Sequence, residues 1–161
     1  MEYGKVFKKV SDRSLNLKLV PYDFSIDNYS DLIKSQKRDG FRQVLFNSEL
    51  MLRIVKSIYD YDYLYLAKIK MSGDTEVNIQ EDINKFVMES RLNRELLFRI
   101  VDELEWYSDK ESIDICEIHF YSKKTSSKSV LKNNGIISGV SINEIFSQFI
   151  SPQLKRYFDE E

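Results

Sequence analysis

Apolar residues recur at helical spacing most clearly between Leu92 and Tyr107, LNRELLFRIVDELEWY. Leu96, Leu97, Ile100, Val101 and Leu104 fall at i, i+3/i+4 intervals and form one stripe. Arg94, Arg99, Asp102, Glu103 and Glu105 take the opposite face. Asn93 suits the N-cap, where its side-chain oxygen accepts an orphan amide proton. Leu92 and Leu97 stand where a hydrophobic staple forms, and Glu95 complements the helix dipole.

The first half of this helix has an echo. Phe46–Val55, FNSELMLRIV, repeats Asn47/Asn93, Glu49/Glu95, Leu50/Leu96, Arg53/Arg99, Ile54/Ile100 and Val55/Val101. Two capped amphipathic helices converge under similar constraints, so duplication and convergence are both open. Solenoids of comparable period need at least about three repeats, and two are found.

Two-residue alternation marks the strands. Residues 4–10 and 15–20 flank Ser11-Asp12-Arg13-Ser14 and predict a hairpin that Pro21 terminates. Asp27 or Asn28 caps a short helix through Lys37, with Tyr29, Leu32 and Ile33 inward, before a turn at Asp39-Gly40. Phe41–Phe46 fits a strand or an early helical turn, and the first copy helix follows from Asn47 to about Tyr59.

Tyr63–Met71 predicts a strand, which Ser72-Gly73-Asp74 turns into a second strand over Thr75–Ile79. Residues 82–90 predict a helix. Ile113–Tyr121 is the strongest strand, its mixed alternation implying burial on both faces or a bulge. Ser122–Gly135 reads as a polar loop. Ser141 or Asn143 caps a last helix carrying Ile145, Phe146, Phe149 and Ile150, which Pro152 interrupts or restarts. The order ββ-α-α-ββ-α-β-α predicts a single α+β domain over residues 1–161, a mostly antiparallel sheet packed by amphipathic helices.

Composition narrows the function classes. The chain has 161 residues, a net charge of −2 and a pI of about 5.6. That balance argues against a generally cationic nucleic-acid or lipid-surface binder but leaves room for a local basic patch. Hydrophobic content of 42% excludes wholesale disorder. Cys116 is the sole cysteine, so no intramolecular disulfide forms. No signal-peptide or membrane-spanning run is evident, and the expectation is a cytoplasmic protein with no membrane partner. Abundant Ile, Lys, Asn and Ser suggests an AT-rich bacterial or phage genome.

Candidate chemistry is sparse. The run Tyr59-Asp60-Tyr61-Asp62-Tyr63-Leu64-Tyr65 is the most unusual local composition. Asp60 and Asp62 have the spacing of a D-x-D cation pair, with no third ligand nearby. Tyr59, Asp60, Tyr61, Asp62, Tyr63 and Tyr65 form the candidate partner-binding surface, since tyrosine offers large contact area at low entropic cost. Glu117 and His119 share a strand face whereas Asp114 does not. No nucleophile accompanies this lone histidine, so a structural role is expected of it. Cys116 lacks a nucleophile's context and reads as a buried, inert thiol. Arg53 and Arg99 pair with helix-face carboxylates or face a partner.

Lys123, Lys124, Lys128 and Lys132 concentrate positive charge in a segment without an acid, suited to a nucleic-acid backbone or an acidic protein. No phosphate-binding glycine loop, cofactor motif or catalytic constellation is present. A non-enzymatic protein-binding module is therefore the first expectation, of the inhibitor, immunity or adaptor kind in a bacterial or phage conflict system. Nucleic-acid binding through the lysine-rich segment is the second, and a metal-dependent enzyme using Asp60, Asp62, Asp114 or Glu117 the third.

Overall fold

A computed structural model describes all residues of the chain except Asp12, Asp74 and Glu161. Among the described residues the strands are β1 (Glu2–Ser11), β2 (Ser14–Pro21), β3 (Arg42–Gln43), β4 (Leu64–Met71), β5 (Ile115–Ser122), β6 (Ser127–Lys132) and β7 (Ile136–Gly139). The helices are α1 (Tyr29–Arg38), α2 (Ser48–Ser57), α3 (Val77–Glu89), α4 (Leu96–Glu111) and α5, a continuous stretch built from Ile142–Ile145, a π-helical turn Phe146–Ile150 and Ser151–Asp159. The strands form one antiparallel sheet in the order β2-β1-β7-β6-β5-β4, with β3 pairing β1. This is the α+β architecture expected from the hydrophobic pattern.

One face of the sheet carries the core. Val6, Leu64, Leu66, Ile69, Ile118, Phe120, Leu131 and Ile137 meet Ile54, Ile100, Leu104, Phe149 and Leu154 from α2, α4 and α5, and Ile58 just past the end of α2. Pro152 lacks the amide that would bond four residues back. The π turn immediately before it widens the hydrogen-bond step, and the helix restarts at Ser151 with Pro152 in its first turn. No helix among the described residues is long and apolar enough to cross a membrane.

The other face is covered at one end only. There α1 lies over β1, and Phe7, Tyr22 and Ile136 are buried outside the main core. Asn28 caps α1 as expected, accepting from Asp31 N at 3.1 Å. No residue of α1 is fully buried, so Tyr29, Leu32 and Ile33 form a cover and not a core face. Beneath it Lys5 is 0% exposed. Its ammonium donates to the Asn134 carbonyl and lies 5.3 Å from the Tyr29 ring centroid. Burial lowers its pKa from the ordinary 10.5 to about 8.

Three expectations are corrected. Thr75–Ile79 forms no strand, because helix α3 begins at Val77. The edge of β4 is closed instead by amides one helical turn apart on α3. Gln80 Nε2 donates to Ile69 O at 2.8 Å, Gln80 Oε1 accepts from Met71 N at 3.1 Å, and Asn84 Oδ1 accepts from Ile69 N at 3.3 Å. These side chains replace the backbone of a pairing strand. The turn residue Asp74, like Asp12 in the first hairpin, lies outside the described residues.

Ser122–Gly135 is not a loop either. It holds strand β6, in which Ser129 and Leu131 are buried while Lys128 and Lys132 alternate with them on the other side. Strand β7 then fills the centre of the sheet, a position the sequence reading left unassigned.

Helix α4 starts at Leu96, without a side-chain cap. The chain leaves α3 through a tight corner in which Asn93 N bonds back to Glu89 O. Leu92 sits at the apex, 97% exposed, and cannot staple. Its counterpart Phe46 is buried, and Asn47 caps α2 by accepting from Leu50 N at 2.8 Å. The two copies thus share sequence but not the geometry of their starts.

Candidate functional site

The tyrosine run divides where α2 ends. Residues Ile58–Asp60 make a single 3-10 turn, and the chain then reverses into β4. Tyr59 is half exposed and packs at a tilt of 52° against Phe98 of α4, ring centroids 4.7 Å apart. Asp60 is exposed and lines, with Phe98, Arg53 and Arg156, an open groove of about 800 Å³ between α2, α4 and α5. Tyr61 turns inward: its ring meets Phe149 at 5.1 Å and its hydroxyl accepts from Gln153 Nε2 at 3.2 Å. Asp62 is exposed. Tyr63 and Tyr65 are half-buried and lie toward the β5–β6 turn.

Arg94 holds this reversal in place. Its guanidinium donates to Ile58 O at 2.7 Å, Leu64 O at 2.8 Å, Tyr61 O at 2.9 Å and Tyr59 O at 3.4 Å, and stands 5.5 Å from the Tyr65 ring centroid. Ile58 O and Tyr61 O each already accept one backbone amide, from Tyr61 N and Leu64 N, and the planar fork adds a second donor that ties these turns to Leu64 O. Arg94 occupies the place of Ser48 in the first copy. The arginines marked by the repeat do less: Arg53 pairs with Glu160 at 2.6 Å on the surface, and Arg99 lies 4.6 Å from the Phe86 ring. Sequence comparison of the two halves pointed at the shared arginines, whereas the unshared one organises the site.

The fold then brings the two candidate segments together. Lys123 N donates to Tyr63 O at 2.8 Å, extending the β4–β5 ladder past Leu64 and Ser122. Lys124 Nζ stands 4.1 Å from the Tyr63 ring centroid and Lys123 Nζ 4.8 Å from that of Tyr65. Lys128 pairs in register with Tyr121, which itself faces Tyr65. Asp62 and Glu144 flank Tyr63, whose hydroxyl pKa is raised by burial and by Tyr61, Glu144 and Asp62.

From this corner the uncovered sheet face runs along β4, β5 and β6. Register places Lys68 opposite His119, Lys70 opposite Glu117, Lys132 opposite Glu117 and Val130 opposite His119. Their side chains are half-buried or exposed, whereas the alternate residues are buried. Glu117 is the one acid these three strands carry. Its carboxylate takes His119 Nε2 at 2.9 Å and lies 4.0 Å from Lys132 Nζ. Burial works against its ionisation, but the His119 hydrogen bond and the charges of Lys70 and Lys132 prevail and hold the carboxyl below its ordinary value.

The remaining candidates lie apart. Asp114 is exposed ahead of β5 and accepts from Ser48 Oγ at 3.3 Å. Cys116 is half-buried in β5 and not sealed in the core as expected. Among the described residues no group of three His, Cys, Asp or Glu side chains is placed to hold a metal. Comparison with models of known families, with characterised proteins and with solved structures gives no match for this chain.

Proposed function

We propose that the protein is a nucleic-acid-binding module without catalytic activity of its own, and that it binds through the corner where β4 begins and β5 turns into β6. One observation carries this reading: the tyrosine run and the lysine-rich segment, distant in sequence, fold into one surface with Lys123, Lys124 and Lys128 beside Tyr65, Tyr63 and Tyr121. In a chain of net charge −2 such concentration is local. Lysines resting on aromatic rings stay solvent-facing and ready for phosphate oxygens.

The test is fluorescence anisotropy with labelled oligonucleotides across a salt series. Binding should weaken as salt rises, and Lys123→Glu, Lys124→Glu and Lys128→Glu combined should shallow the slope of log K against log salt by about 2. A flat titration at low salt rejects the reading.

A protein-binding role is the second reading, supported by the groove between α2, α4 and α5. Phe98, which packs at a tilt against Tyr59, lines it, and Arg53, Lys56 and Arg156 share the lining with a larger number of acids, Glu49, Asp60 and Asp109 among them. The inhibitor, immunity or adaptor role in a bacterial or phage conflict system belongs with this reading. It requires that a stoichiometric partner captured by the wild type be lost with Tyr59→Ala and Phe98→Ala combined.

A further inference from the structure

Beyond the corner, the face of β4, β5 and β6 has a composition that phosphate attraction does not by itself explain. Lys68, Lys70, Lys128 and Lys132 share it with Tyr65, Tyr121 and His119: Tyr121 lies between Tyr65 and Lys128, and His119 between Lys68 and Val130. Tyr121 is 38% exposed in the interior of the sheet. Among the described residues no ring or cation stands against its own ring, although nearly every neighbouring tyrosine has one. An aromatic plane left uncovered on a face that carries four lysines fits a ligand that is both anionic and flat.

We propose that the binding site extends from the corner across this face, and that its ligand is single-stranded nucleic acid, with a base stacked on Tyr121 and phosphates on Lys68, Lys70, Lys128 and Lys132. The inference rests on the nucleic-acid reading above and adds to it the ligand form and the residues of the sheet. Alternate residues on a strand stand about 6.8 Å apart and neighbouring strands about 4.8 Å apart. Lys68 and Lys70 therefore form a row two strands from Lys128 and Lys132, with Tyr121 and His119 of β5 between the rows.

A single strand can lay its backbone along such rows and turn its bases onto the rings. A duplex cannot, because its bases are stacked inside. Reading a duplex from its grooves takes a helix or ribbon that projects into them, and among the described residues the side chains of this face rise from the strands of a sheet. Glu117 does not spoil the charge balance, since His119 and Lys132 already engage its carboxylate.

The experiment measures anisotropy of a labelled oligothymidylate, with unlabelled oligouridylate, a duplex of equal length and heparin as competitors, for wild type, Tyr121→Ala and Tyr121→Phe. The expected result is that both single strands compete well and the duplex poorly. Tyr121→Ala should lose at least about fivefold in single-strand affinity while Tyr121→Phe keeps it. Heparin, which offers charge without bases, should bind both variants as it binds wild type. Tyr121 is 38% exposed and pairs with Tyr65, so Tyr121→Ala should melt only a few degrees below wild type and Tyr121→Phe with wild type. Binding is compared well below both transitions, which separates loss of stacking from loss of fold. Equal competition by duplex, heparin and single strand, with Tyr121→Ala unchanged, overturns this inference and leaves the lysine corner standing. Absence of any binding at low salt overturns both.

Discussion

Replacing Arg94 by Met tests whether one side chain holds the reversal from α2 into β4. The guanidinium makes three hydrogen bonds shorter than 3 Å, to Ile58 O, Leu64 O and Tyr61 O, and a longer one to Tyr59 O. A hydrogen bond to a charged group contributes about 1.5–3 kcal/mol net. The bonds share one half-buried donor and water can re-enter on its removal, so the total falls short of their sum, at about 2–4 kcal/mol. For a chain of this size each kcal/mol moves the melting temperature by about 2–4 °C, which places Arg94→Met roughly 5–15 °C below wild type. Arg94→Lys should recover little, since one ammonium cannot span carbonyls that a planar fork reaches. Arg53→Met is the control: it breaks an exposed pair with Glu160, worth under about 1 kcal/mol. Differential scanning calorimetry of the three variants decides. Arg94→Met melting with Arg53→Met would refute the assigned role of the fork.

Other consequences follow from single contacts. Lys5 has its pKa lowered to about 8 by burial, so between pH 8 and 10.5 the unfolded chain holds a proton that the folded chain has released. Stability should therefore rise with pH through that window and be flat in this respect below it, by at most about 3 kcal/mol. Urea denaturation at pH 7.5 and 9.5 should show the rise in wild type and not in Lys5→Met. Asn47→Ala should cost about 1 kcal/mol through loss of the α2 cap, and Asn93→Ala almost nothing, when both are measured by chemical denaturation. Gln80→Ala unpairs Ile69 O and Met71 N on the β4 edge, so it should destabilise by about 1–3 kcal/mol and raise light scattering on storage.

The parts of the fold that the sequence displayed are those where one local rule and the tertiary contacts agree. Helix α2 and strand β5 follow periods set largely by burial on one side, and the Asn28 cap follows from a side-chain oxygen that accepts from Asp31 N. Thr75–Ile79 misled because its β-branched residues favour a strand, whereas Gln80 and Asn84 bond the β4 edge only from a helix. The four lysines drew attention to the charge of residues 122–135 and away from the two-residue alternation of Lys128, Val130 and Lys132 with Ser129 and Leu131. The site was half visible. Its tyrosines and lysines stood out by composition, but their meeting depends on the β4–β5 register, and Lys68, Lys70 and Tyr121 carry no local mark. Arg94 was overlooked for a related reason. It differs between the two copies, and its partners are backbone carbonyls that no side-chain pattern reveals.

The central claim is that the uncovered face of β4, β5 and β6 is the binding surface. A two-dimensional amide NMR titration with a short unlabelled single strand at low salt addresses it most directly. The expected result is a set of saturable shifts at Tyr65, Lys68, Lys70, His119, Tyr121, Lys123, Lys124 and Lys128, with α2, α4 and α5 unmoved. Shifts confined to the groove of Arg53, Asp60 and Phe98, or no shifts, would contradict it.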